Sequence, residues 1–192
     1  MCRQDHKSLA GVDTIPLYSG GHLVTQDQCD QALGCGLPSY SFRDSKNANK
    51  GCLWIPTDAP QFLSPTSVNV VSINKLDSEL TNITVTVSGP SRIMLLVTTK
   101  PGANIHKWSL GDVRPGQHVH HVQLITGHGD QAPQHVWLVV RGWSGGSVIM
   151  TATGHYNSGP EMVSGTLRQF SSLYPTWVSI AGWTVDYKYY TF

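Results

Sequence analysis

Short apolar runs alternate regularly with Gly- and Pro-bearing turns over residues 68–157, and this pattern limits the fold most. Val68-Asn-Val-Val-Ser-Ile73 reads as a first strand. Ile83, Val85 and Val87 alternate with Thr84 and Thr86, the period of two that marks a strand with one buried face. Gly89-Pro90 ends it. Ile93-Met-Leu-Leu-Val97 is apolar on both parities, as a central strand is. Lys100-Pro-Gly102 and Arg114-Pro-Gly116 form turns on either side of Trp108 and Leu110. Val122 and Leu124 share a face in the next strand, and Val136-Trp-Leu-Val-Val140 follows. A turn around Trp143, with Gly142, Gly145 and Gly146, leads to a strand over 148–155 with Val148, Met150 and Ala152 on one parity. About seven short strands with such punctuation predict a sandwich rather than a βαβ sheet.

One helix is expected, from Glu161 to Leu173. Pro160 precedes it, and Met162, Leu167, Phe170 and Leu173 recur near helical spacing. Pro175 stops it. A last strand runs from Trp183 to Phe192, and the end of the chain at that point predicts a domain whose C-terminus closes its sheet. The expected fold is therefore mainly β: an antiparallel β-sandwich-like domain with one short helix near 161–173. Residues 1–28 form an atypical N-terminal segment, expected to be poorly ordered. Residues 29–66, rich in Cys, Gly and Pro, form a lead-in packed on or beside the sandwich. Residues 67–192 are the sandwich itself.

Composition narrows the partners. The formal net charge is +1 and charged residues make up 13% of the chain, too little for a broad electrostatic grip on nucleic acid or an anionic membrane. No apolar run approaches the length that spans a bilayer, so no transmembrane segment is expected. The start, Met1-Cys-Arg-Gln-Asp-His-Lys7, lacks the apolar core of a signal peptide.

All four cysteines lie early, at Cys2, Cys29, Cys35 and Cys52. The gaps between Cys29, Cys35 and Cys52 do not match a zinc knuckle. A disulfide between Cys29 and Cys35, or from either to Cys52, stands beside a zinc site completed by His22 and beside free thiols. Asn82-Ile-Thr84 is an N-glycosylation sequon. Together the cysteines and Asn82 lean toward a lumenal or extracellular setting.

Catalytic chemistry finds little support. There is no His-Glu-x-x-His, and the only Glu residues, Glu79 and Glu161, have no His neighbours. No catalytic residue, metal ligand or cofactor site is assigned. Ser144 in Gly142-Trp-Ser-Gly-Gly146 resembles a nucleophile elbow faintly, but a strand rather than a helix is expected after it. An independent enzyme would have to gather His118, His120, His121, His128, His135 or His155 with an Asp such as Asp130 in one pocket. A carbohydrate- or ligand-binding module would instead need coplanar exposed aromatics, with Trp143 in its turn as the leading candidate for a ligand or docking surface.

Several segments then follow in a characteristic order. They are Gly89-Pro-Ser-Arg-Ile-Met-Leu-Leu-Val97, Lys100-Pro-Gly-Ala-Asn-Ile-His-Lys-Trp-Ser-Leu-Gly111, His135-Val-Trp-Leu-Val-Val140, His155-Tyr-Asn-Ser-Gly159, Tyr174-Pro-Thr-Trp177 and Trp183-Thr-Val-Asp-Tyr187. Over residues 29–192 the chain resembles the C-terminal lumenal domain of the endoplasmic reticulum metallopeptidase 1 family, M28-type zinc peptidases with a multi-pass membrane region. The resemblance implies a non-catalytic domain on the lumenal side of the endoplasmic reticulum. Its partners would be the rest of the parent peptidase or lumenal protein surfaces. Zinc would belong to the parent's peptidase domain, so no residue here inherits a catalytic or metal role.

Overall fold

In a computed structural model, residues 60–114, 116–127, 132–177 and 183–192 are described, together with 22–23, 27, 33 and 53–54. The chain divides into two compact units. One comprises Met1–Leu63 with Tyr156–Thr184, the other Ser64–His155 with Val185–Phe192.

In the first unit β1 (His22–Leu23) pairs antiparallel with β2 (Leu53–Trp54). Its described helix, α1 (Gly165–Ser171), is shorter than the 161–173 expected. The reason lies at Ser164. Its Oγ accepts the Leu167 N–H at 3.2 Å, a side-chain N-cap that fixes the start of the helix four residues beyond Glu161. Pro160 belongs instead to a turn in which the Met162 N–H donates to the Gly159 carbonyl at 3.2 Å. Ser164 is itself held, its N–H donating to Thr184 Oγ1 at 3.1 Å.

The second unit is the sandwich. Its strands are β3 (Ser67–Lys75), β4 (Leu80–Ser88), β5 (Arg92–Thr99), β6 (Asn104–Trp108), β7 (Val119–Ile125), β8 (Gln134–Arg141), β9 (Val148–Tyr156) and β10 (Thr184–Thr191). They form two antiparallel four-stranded sheets, ordered β3-β4-β8-β6 and β10-β9-β5-β7. Both sheets send alternate residues into one core. Ile83, Val85 and Val87 of β4 meet Val136, Leu138 and Val140 of β8, together with Ile93, Leu95 and Val97 of β5 and Val148, Met150 and Ala152 of β9. This is the parity read from the sequence for β4 and β9, and β5 is buried on both parities as its continuous apolar run predicts.

The edges depart from simple alternation. A bulge at Val71, between the registers of Val70 and Ser72, shifts β3, so Val70, Val71 and Ile73 are all exposed and Val68 alone of that strand is buried. At the other end, β10 exchanges two backbone bonds with β9: Val148 N–H to the Phe192 carbonyl at 3.1 Å, and Phe192 N–H to the Val148 carbonyl at 2.9 Å.

The last strand also fastens the first. Asp186 is 7% exposed, and its Oδ2 accepts the N–H of buried Thr66 at 2.9 Å across 120 residues of sequence. Two residues on, the Val68 N–H donates to the Tyr190 hydroxyl at 3.0 Å. Asp186→Ala leaves the Thr66 N–H buried with no acceptor. We expect it to cost about 2 kcal/mol. Asp186→Asn, which keeps an acceptor, should lose visibly less in urea unfolding. Equal losses for the two variants would remove this role from the bond.

Candidate functional site

The histidines are dispersed by strand geometry. On β7, His120 points inward with Val122 and Leu124, while His121 faces the other way. Burial holds both imidazoles below their ordinary pKa. His155 is 2% exposed on β9, and His135 lies on the outward parity of β8 opposite Thr86. His128 and Asp130 fall outside the described residues. Of the described histidines, His118 and His120 line one cavity together. Among the described residues no three His, Cys, Asp or Glu side chains group as metal ligands would.

Ser144 sits in the hairpin turn between β8 and β9. Its N–H donates to Ser147 Oγ at 3.1 Å, and the Ser147 N–H returns to the Ser144 carbonyl at 2.9 Å. A strand follows, which is not the setting of a nucleophile elbow. Trp143 in the same turn packs half-buried against the core, with its indole N–H enclosed and unbonded. The more exposed indole of the sandwich is Trp137, on the outer face of β8 opposite Thr84. Asn69, Ser72 and Asn74 of β3 and Asn82, Thr84 and Thr86 of β4 share that face by register. No other Trp, Tyr or Phe among the described residues stands on it, so the paired aromatic platform of a sugar-binding module is missing there. Asn82 is half-buried in mid-strand, and its Oδ1 is enclosed without a partner. Cys29, Cys35 and Cys52 lie outside the described residues.

The cavity, of about 550 Å3, lies between the β5–β6 turn and the segment that enters β7. Lys100 and Arg114 reach it from two turns of the same local form, each a cation followed by Pro-Gly. Both turns were legible in the sequence, but their convergence was not. Gly102 and Gly116 adopt φ of 92° and 74°, the left-handed backbone that closes each turn. His120 forms part of the wall and meets Trp108 edge-on, with ring centroids 5.0 Å apart at 65°. At the far end of the sandwich the pKa of Tyr187 is pushed up to about 12 by burial and, secondarily, by Tyr189.

A family model described as "Endoplasmic reticulum metallopeptidase 1, C-terminal domain" matches residues 2–190. The match reaches further toward the N-terminus than the resemblance over 29–192. Curated relatives named endoplasmic reticulum metallopeptidase 1 are 26% identical over 170 residues in Mus musculus, 26% in Rattus norvegicus and 24% in Homo sapiens. Each alignment covers 82% of this chain and only 18% of the relative. A solved chitin-binding domain of a hyperthermophilic chitinase from Pyrococcus furiosus covers 50% of this chain and 93% of its own, at 16% identity and a TM-score of 0.33, a level that carries no argument about fold or function. With the family model matching nearly the whole chain, it belongs to the endoplasmic reticulum metallopeptidase 1 C-terminal domain family.

Proposed function

We propose that this chain works as a non-catalytic, lumen-facing C-terminal domain of an endoplasmic reticulum membrane metallopeptidase of the M28 type. It would act by packing against the rest of that protein or against lumenal protein surfaces. The family match over residues 2–190 carries the reading. Two further observations support it. The aligned stretch is 18% of each relative's length, so in those proteins a much larger part stands beside it. No described helix is long and apolar enough to cross a membrane, so any anchoring helix would lie elsewhere. Zinc and the peptidase chemistry would reside in that other part.

The test mixes the purified chain with the parent peptidase lacking its C-terminal domain. Co-elution as a stoichiometric complex is the expected result. Two folded pieces that pass the column separately would overturn the packing role.

A further inference from the structure

The cavity between the β5–β6 turn and the entry to β7 has an unusual charge inventory. Lys100 and Arg114 both line it, and no Asp or Glu does. Among the described residues neither cation forms an ion pair, whereas Arg141 pairs with Glu79 at 3.6 Å and Lys188 with Asp186 at 3.5 Å. Two other polar side chains in the wall are already committed. Thr99 Oγ1 donates to the Ala103 carbonyl at 2.7 Å, and Gln117 Nε2 donates to the Val119 carbonyl at 2.8 Å.

His120 is the second, independent observation. It is only 5% exposed, it lines the cavity, and its ring nitrogens have no hydrogen-bond partner among the described residues. The His120 nitrogens are not among the sealed, partnerless atoms of the core, so a ligand in the cavity can reach them and accept an N–H. Lys100 and Arg114 both border the space, so an anion there would meet two positive charges and no carboxylate. Burial disfavours the charged imidazole, and an anion beside it would favour the protonated, donating form.

The volume sets the size of the ligand. About 550 Å3 lies within the ~300–1,000 Å3 of small-molecule sites. It is roomier than a bare oxyanion requires, and Ile105 and Val113 supply apolar wall. Arg114 offers a planar fork and Lys100 a point charge, the combination suited to the several oxygens of a phosphate group.

We infer that this cavity binds a phosphate monoester, with Lys100 and Arg114 holding the phosphate, His118 and His120 donating to it, and the organic part resting on Ile105 and Val113. The monoester is either a soluble phosphorylated metabolite or the headgroup of a phospholipid.

The experiment is a titration of the 192-residue chain with inorganic phosphate and with glycerol 3-phosphate, followed through the imidazole resonances of His118 and His120. A parallel arm uses vesicles containing phosphatidic acid. Saturable shifts with glycerol 3-phosphate, tighter than with inorganic phosphate, are expected. The K100M/R114M double variant should weaken binding at least about tenfold, because it removes both charge-assisted contacts. Lys75→Met, on β3, should leave binding unchanged. Vesicle binding that glycerol 3-phosphate displaces assigns the lipid source, and binding of the soluble ester alone assigns the metabolite. No saturable shift with any phosphate probe would overturn the proposal, as would shifts that persist unaltered in the double variant. Lys100 and Arg114 are exposed, so that variant tests binding without emptying the core.

Discussion

Leu138→Ala is expected to lower the stability of the sandwich by about 3–4 kcal/mol, near the top of the range for a buried leucine. Leu138 is fully buried in β8, facing Ile83 of β4 on one side and Trp108 of β6 on the other. Strands hold it from both sides and the second sheet lies across it, so the space left by the lost methyl groups cannot easily collapse. Its neighbour Trp137 points to the opposite face and is 40% exposed. Trp137→Ala should cost under about 1 kcal/mol although it removes more atoms. Urea unfolding of the two variants checks the pair. Similar losses would show that the faces of β8 have been assigned wrongly.

Gly142→Ala is the second large effect, about 3 kcal/mol, in which a backbone cost and a steric cost add. Gly142 has φ of 65°, a left-handed conformation that costs a residue bearing Cβ about 1–2 kcal/mol. A Cβ placed there would also collide with the backbone carbonyl of Gly102. A backbone carbonyl cannot rotate away as a side chain does, so the β5–β6 turn or the start of the β8–β9 turn must shift. The Gly142 N–H also donates to the Glu79 carbonyl at 2.9 Å, and that bond would be strained in the process. Gly145 lies in the same hairpin turn without a positive φ, and a Cβ added to it would meet nothing within 4 Å. Gly145→Ala should be close to neutral in thermal unfolding. Equal melting temperatures for the two variants would count against the collision.

The sheet-forming half of the sequence was readable because its information is local. Ile83, Val85 and Val87 alternate with Thr, and the apolar double parity of Ile93–Val97 marks a strand with neighbours on both sides, as β5 has. Family membership was also readable, from the order of its segments. What escaped was non-local. Thr151, Thr153 and His155 are buried on the second face of β9, although their polarity predicts exposure. The buried carboxylate of Asp186 became intelligible only with Thr66 beside it. The start of α1 was set by the Ser164 cap, a weaker sequence signal than Pro160. In the cavity, Lys100 and Arg114 each read as a turn residue, and nothing in their separation along the chain says that the two turns meet.

The return of the chain to the sandwich at Val185 has a practical meaning for dissection. No continuous piece contains all of Ser64–His155 and Val185–Phe192 without carrying Tyr156–Thr184 between them. A cut after His155 removes the partner of the Thr66 and Val68 amides, and a cut before Ser64 divides the other unit from part of itself. Neither unit is a module that a single pair of scissions can lift out. A graft into another protein would have to accept both units, or replace 156–184 with a designed bridge.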